Sequence, residues 1–440
     1  MLYKKIVFGD TAAYYVQTPD LGAGLCLLPA DTQVENADAL ACDSMVQARL
    51  RGARDLVDYS LGVTMRNSSS VLLKIEEQTA DGKSVITRLS DGAGNEYVHT
   101  LEYDAPTGVF TVWVEYRNRS GREQVLESLQ SFSVSGIGAH RGGGFSDIGM
   151  KLVRMTSAWS RECRIKEDEF CDLGLDMSWA PHGVKCERFG QVGTMPNRGW
   201  YPFAAIEGVG CVWAATLEAP YSWQMEVYKL RETCALSGGL ADYEFGHWFK
   251  KIAHGERFST HKAYLWVGKG SSLDACNAFV RFQDNRLLSA GALPESERDM
   301  PVLFNEYCTT WGVPSEENIR AILHCIEGLP IRYFVIDAGW YKPDHCDWGH
   351  AMGDWNESKT LFPHGIRAVA NSKWRAPRAK CIPARICCSN ATACRSRAAR
   401  GGFSICAKRT CRRIFPAKCA TFCAKTGSNT SKSTITTASA

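Results

Sequence analysis

Asp337-Ala338-Gly339-Trp340-Tyr341 sets an acid three residues ahead of a tryptophan, and that spacing has a definite chemical use. A carboxylate accepts hydrogen bonds from sugar hydroxyls, while an indole face covers the apolar face of a sugar ring. Trp311, in Thr309-Thr310-Trp311-Gly312, reads either as a second wall of such a pocket or as a core tryptophan. Asp354, followed by Trp355, reads either as a sugar contact or as a loop anchor. Asp337 itself has a structural alternative, an acid that closes a strand end. Asp344, His345, Cys346, Asp347 and His350 are rich in ligand atoms, but their spacing matches no zinc pattern, so they read as solvated loop residues. No metal and no cofactor is expected.

The elements that must hold Asp337 in place are legible on both sides of it. Val302 to Cys308 reads as an apolar strand. Ser315 can cap a helix whose first turn carries Glu316 and Glu317, where acids suit the helix dipole. Ile319, Ile322, Leu323 and Ile326 recur at helical spacing, and Gly328 can end the helix. Ile331 to Ile336 is a second strand, and Asp337 follows it directly. Strand, crossover helix and parallel strand ending in an acid is how a (β/α)8 TIM barrel presents a site.

The preceding residues, to about 290, read as mostly β. Phe110, Val112, Val114 and Tyr116 alternate onto one face of a strand. Val71 to Ile75, Ser131 to Ser135, Val209 to Leu217 and Lys262 to Val267 read as further strands, and Ser272 to Leu287 as a helix. Many short strands over this length predict a large β-sandwich. Arg298 to Pro301 is the candidate boundary. The expected organisation is a β-sandwich domain over 1–298, a partial TIM barrel over 299–372 and a disordered tail over 373–440. The N-terminus has too short an apolar run for a signal peptide, and no run reaches the length of a membrane span, so a cytoplasmic protein with reduced thiols is expected.

The net charge of +4 conceals a division. All 47 acids lie in residues 1–357, with 34 Lys and Arg; residues 358–440 hold 17 Lys and Arg, eight cysteines and no acid. A basic end could bind nucleic acid, but it lacks the interleaved aromatics that stack on bases. Its cysteines also lack Cys-x-x-Cys pairing. Neither a nucleic-acid nor a membrane partner is expected.

Taken in order, Phe304-Asn305-Glu306-Tyr307-Cys308-Thr309-Thr310-Trp311-Gly312, Tyr333-Phe334-Val335-Ile336-Asp337-Ala338-Gly339-Trp340-Tyr341, Gly353-Asp354-Trp355 and Leu361-Phe362-Pro363-His364-Gly365-Ile366 resemble the family 36 glycoside hydrolases, the α-galactosidases related to melibiase. Ser157-Ala158-Trp159-Ser160 and Leu217 to Glu226 fit the same family's N-terminal β-supersandwich. The resemblance covers roughly residues 1–372. It implies retaining hydrolysis of α-linked galactosides by two carboxyls about 5–5.5 Å apart, a nucleophile and an acid/base. It also implies a substrate-binding rather than nucleophilic role for Asp337, with Trp340, Trp311 and Asp354 as further substrate contacts, and a homo-oligomer for the intact form. The family's nucleophile lies in a Lys-x-Asp-x-Asn signature on a later strand, with the acid/base later still. The chain carries no such signature, so catalytic residues are expected to be absent and the chain inactive as written. Ala338 departs from the family's Asp-Asp-Gly-Trp, which leaves the exact sugar open. A rival from another class is a noncatalytic carbohydrate-binding or oligomerisation module built on the sandwich.

The tail bears on this reading. A (β/α)8 barrel takes about 250 residues, whereas 140 follow Met300. Residues 373–440 show no sustained apolar period and cannot bury enough apolar surface to fold. Back-translating Lys425 to Thr436 and reading codons from each third base permits Asn-Gly-Phe-Lys-Tyr-Leu-Lys-Ile-Asp-Tyr-Asn, which contains the missing signature, its acid falling over Thr434. The tail is therefore expected to be a frameshift product.

Overall fold

The computed structural model describes residues 1–40, 42–56, 66–138, 149–175, 185–208, 210–230, 233–291, 301–353 and 355–371, together with 403–406 and 435–438. The chain divides into two compact units, Met1–Ser289 and Ala290–Ala440. Their described elements in chain order are β1 (Leu2–Phe8), β2 (Thr11–Thr18), β3 (Gly22–Pro29), β4 (Ala48–Leu50), α1 (Ser68–Val71), β5 (Lys74–Ala80), β6 (Ser84–Ser90), β7 (Asn95–Asp104), β8 (Val109–Asn118) and β9 (Gln124–Ser135). There follow β10 (Lys151–Ala158), β11 (Arg161–Glu169), β12 (Lys185–Gln191), β13 (Trp200–Gly208), β14 (Cys211–Leu217), β15 (Trp223–Leu230) and β16 (Thr233–Leu240). The first unit closes with α2 (Tyr243–Gly246), β17 (Lys250–Ile252), β18 (Arg257–Ser259), β19 (Ala263–Gly268) and α3 (Ser272–Ser289). The second contains β20 (Val302–Asn305), α4 (Tyr307–Thr310), α5 (Glu316–Cys325), β21 (Ile331–Val335), α6 (Ile366–Ala370), β22 (Phe403–Cys406) and β23 (Ile435–Ala438).

Two large antiparallel sheets make the first unit. One runs β11-β10-β13-β14-β19-β8-β7-β6-β5, with β18 beside β8; the other runs β12-β15-β16-β9-β17, with β4 beside β9. A third sheet, β1-β2-β3, completes it. The alternation read in β8 is realised: Phe110, Val112, Val114 and Tyr116 are all fully buried, in one core with Leu126, Phe132 and Val134 of β9 and Met225 and Val227 of β15. The opposite face of the large sheet has its own cover, as Ala275, Ala278 and Phe279 of α3 pack on Val153, Phe203, Val212 and Tyr264.

Arg154 on β10 links the two sheets. Its guanidinium lies 2.5 Å from Asp168 on β11 and 2.5 Å from Glu187 on β12, 4.9 Å from the Trp200 ring centre and 5.1 Å from that of Phe189. Arg154→Ala removes the buried charge itself and leaves two acids with partial access to water, so the cost falls below that of stranding a buried ion. The expected loss is about 2 kcal/mol of unfolding free energy, read by urea titration.

In the second unit β20 and β21 pair in parallel, with Phe304 opposite Phe334 and their rings stacked at 5.7 Å. α5 connects them; Ser315 Oγ accepts from the Asn318 N–H, and Ile319, Leu323 and Ile326 are buried. Ile331, Phe334, Ile336, Trp340, Phe362 and Ile366 join them in one core.

Three local expectations differ. The strand expected over Val302 to Cys308 stops at Asn305, because Glu306 turns under the end of β21 and Tyr307–Thr310 coil into α4. The strand expected from Val71 starts at Lys74; Asn67 caps the short α1 by accepting from the Ser69 N–H, and Ser70 Oγ donates to the Ala48 carbonyl. The helix expected to run to Gly328 has its last α-helical residue at Cys325. The boundary at Arg298 to Pro301 falls, up to Met300, outside the described residues. In the tail, β22 and β23 pair antiparallel, Phe403 opposite Ala438; the other residues of 373–440, for which disorder is expected, lie outside the described ones.

Candidate functional site

β20 and β21, lying side by side in parallel, bring their C-terminal ends together. Each is followed by an acid, Glu306 after β20 and Asp337 after β21. The two acids have opposite surroundings. Glu306 is fully buried: one carboxylate oxygen accepts from the Asp337 N–H at 2.8 Å, and the other from the Thr310 hydroxyl. Burial pushes its pKa up; the Thr310 and Asp337 N–H hydrogen bonds pull it down, and the Asp337 charge raises it further. Asp337 is half-buried. Its Oδ2 accepts from Asn305 Nδ2 at 2.7 Å, and its Oδ1 from the Ala338 N–H at 2.6 Å. Each oxygen keeps a second acceptor direction for a ligand hydroxyl.

Glu306 therefore fixes the backbone beneath Asp337, and Asn305 orients its carboxylate. The pair does not make a nucleophile and acid/base, because no part of Glu306 reaches solvent.

Aromatic rings flank this point in two groups. Tyr307 lies 6.0 Å from Trp311 and 5.9 Å from Trp348. Trp311, at φ +51°, is 71% exposed and supplies a solvent-facing ring rather than a core one. Trp340 is buried, stacked at 6.3 Å on Trp355, which meets Tyr341 edge-on at 4.7 Å. Burial raises the Tyr341 pKa, with the charges of Asp337 and Tyr307 adding to it. The two loops touch through glycines. A Cβ on Gly339 would lie 2.1 Å from the Gly312 carbonyl oxygen, and one on Gly312 2.4 Å from Trp348 Cδ1.

Of the residues singled out in the sequence, Asp337 and Trp340 stand on one loop, Trp311 on the neighbouring one, and Asp354 lies outside the described residues. Trp340 is less available to a ligand than expected, since its ring is packed into the core. Glu306, Asn305, Tyr307, Trp348 and Trp355 take part without having been assigned a role. For Glu306 a signal existed, an acid at the end of a strand parallel to the one preceding Asp337. In the loop from Asp344 to His350, Asp347 accepts from His350, and Asp344 accepts from Thr360 further along the chain. Among the described residues no three His, Cys, Asp or Glu side chains converge to hold a metal.

No protein-family model matches the chain. It is 21% identical over 295 residues to the α-galactosidase Mel36A of Lactobacillus acidophilus, an alignment covering 66% of this chain and 37% of that protein. To the α-galactosidase AgaA of Geobacillus stearothermophilus it is 23% identical over 274 residues, 62% of this chain and 35% of that protein. The chain thus spans about a third of the length of the curated relatives it matches. The crystal structure of AgaA, a family 36 α-galactosidase, superposes with a TM-score of 0.57 at 16% identity, over 83% of this chain and 54% of that one. The α-galactosidase of Lactobacillus brevis superposes with a TM-score of 0.56 at 14% identity. Two similar structures are complexes of AgaA variants with stachyose and with raffinose. Sequence and structure comparisons point alike to the N-terminal region of a family 36 α-galactosidase, and the mostly β architecture of the first unit matches that region.

Proposed function

We propose that residues 1–372 are the N-terminal β-supersandwich (1–298) and the first part of the catalytic TIM barrel (299–372) of a retaining α-galactosidase. On this reading Asp337, Trp340, Trp311 and Asp354 bind an α-galactoside oligosaccharide. The observation that carries it is Asp337, oriented by Asn305 and the Ala338 N–H at the end of β21, with spare acceptor capacity on both oxygens and exposed Trp311 on the adjoining loop. On this reading the chain would bind a sugar without the residues that cleave it. We further propose that 373–440 are read out of frame and that the chain as given does not turn over substrate.

Two measurements test this. Purified chain incubated with raffinose is expected to release galactose no faster than buffer, and turnover above that blank refutes the inactivity. Titration calorimetry with raffinose is expected to show weak binding, weakened about tenfold or more by Asp337→Asn, which removes a charged acceptor. Binding insensitive to that substitution removes Asp337 from the site. The gene's nucleotide sequence decides the frame: one inserted or deleted base near Ser372 should open a Lys-x-Asp-x-Asn motif.

A second reading, a noncatalytic carbohydrate-binding or oligomerisation module, is favoured by one observation. The first unit closes a large core of its own, from Phe8 to Val267. Raffinose binding that survives Asp337→Asn supports this alternative.

A further inference from the structure

Cys26 lies on β3, and Cys42 on the segment that runs back beside it. Gly24 and Ser44 form an antiparallel bridge, and the Met45 N–H donates to the Ala23 carbonyl at 2.7 Å. The bridge is isolated, and Cys42 turns in beside Gly24, where a Cβ would lie 2.4 Å from Cys42 Cβ. The Ala23–Met45 hydrogen bond makes that pair a hydrogen-bonded one, so the Gly24–Ser44 pair falls on a non-hydrogen-bonded position, where two strands approach most closely. Cys26 Sγ donates to the Gly136 carbonyl at 3.8 Å, and both sulfurs converge on Gly136: a Cβ there would lie 3.0 Å from Cys26 Sγ and 3.3 Å from Cys42 Sγ. Gly136, at φ +69°, leaves the space the two sulfurs occupy. Both cysteines are buried, at 0% and 1% exposure, in the core of the first unit.

We propose that Cys26 and Cys42 are a disulfide-forming pair, a cross-strand staple that fastens the segment around Ser44 to β3. The co-reactant is a small-molecule disulfide such as oxidised glutathione. One cysteine thiolate attacks it, forming a mixed disulfide and expelling one small thiol. The second cysteine thiolate attacks the mixed disulfide, forming the Cys26–Cys42 bond and expelling the second small thiol. The two cysteine protons end on the two released thiols, so two thiols are oxidised and one disulfide is reduced. The neighbouring Cys42 thiol and burial push the Cys26 pKa up and favour its protonated form, so the exchange proceeds during folding or through local opening rather than in the closed core.

The tryptic peptide 6–49 contains both residues and no other cysteine, which makes the test unambiguous among nineteen cysteines. The full chain is refolded from urea with oxidised glutathione, trapped with N-ethylmaleimide in denaturant and digested. The expected peptide is two hydrogens lighter than the dithiol, carries no maleimide, and gains two maleimides after reduction. The oxidised chain should also melt roughly 5 °C higher, since the bond closes a loop of about fifteen residues. That rise should vanish in Cys26→Ala and in Cys42→Ala. Recovery of the peptide with two maleimides, or joined to a peptide bearing another cysteine, overturns the proposal. The peptide mass decides even where a variant fails to fold.

Discussion

Lowering the pH from 7 to 4 is expected to cost the first unit about 3 kcal/mol through a single side chain, His99. His99 lies on β7 between Thr87 of β6 and Val114 of β8. It is fully buried, and neither ring nitrogen has a hydrogen-bond partner. Burial lowers its pKa from 6.5 to about 4. The unfolded chain therefore binds a proton between about pH 6.5 and 4 that the folded chain refuses. Stability from this group is fully present above the unfolded pKa and drains as pH falls toward the folded one. Asp43, whose pKa burial raises against the pull of Arg66, acts in the opposite sense, so the test must isolate His99. Urea unfolding of the wild type and of His99→Phe across this range provides that difference. The slope should be shallower in the variant, by up to about 1.4 kcal/mol per pH unit. Parallel curves would show that His99 does not set the acid limit.

Gly339→Ala is expected to be the most damaging single change at the candidate site. Gly339 has φ +104°, a conformation L side chains rarely adopt, and its new methyl would sit 2.1 Å from the Gly312 carbonyl oxygen. The obstacle is backbone, with Pro314 Cδ only 2.9 Å away on the same side, so no rotamer change relieves it. The expected cost is about 3 kcal/mol or more in the second unit, with the loops bearing Trp311 and Asp337 pushed apart. Hydrogen exchange should show lost protection over β20 and β21, and raffinose binding should fall below detection. Unchanged protection would mean that the two loops are not packed as described.

The order of elements around the site was legible because local rules suffice for it. Ser315 caps α5 as its position before two acids predicts, and Ile319, Leu323 and Ile326 are buried as their spacing predicts. β21 ends two residues short of Asp337, and β8 buries its alternate residues. The ends of elements were less legible. β20 stops early because Glu306 is drawn under β21 by the Asp337 N–H, a partner thirty-one residues away that no local window contains.

What the sequence determined by itself was the alternating β pattern of the first unit, the strand–helix–strand passage and the placing of Asp337 at a strand end. Each depends on periodicity, capping or turn chemistry within a few residues. Tertiary structure alone decided the rest. It buried Glu306 while leaving Asp337 open, packed Trp340 against Trp355 while exposing Trp311, and brought the Cys26 and Cys42 sulfurs together at Gly136. Those outcomes depend on which segments meet, and the solvent exposure or partner of a side chain is a property of the neighbour it acquires rather than of its own stretch of chain.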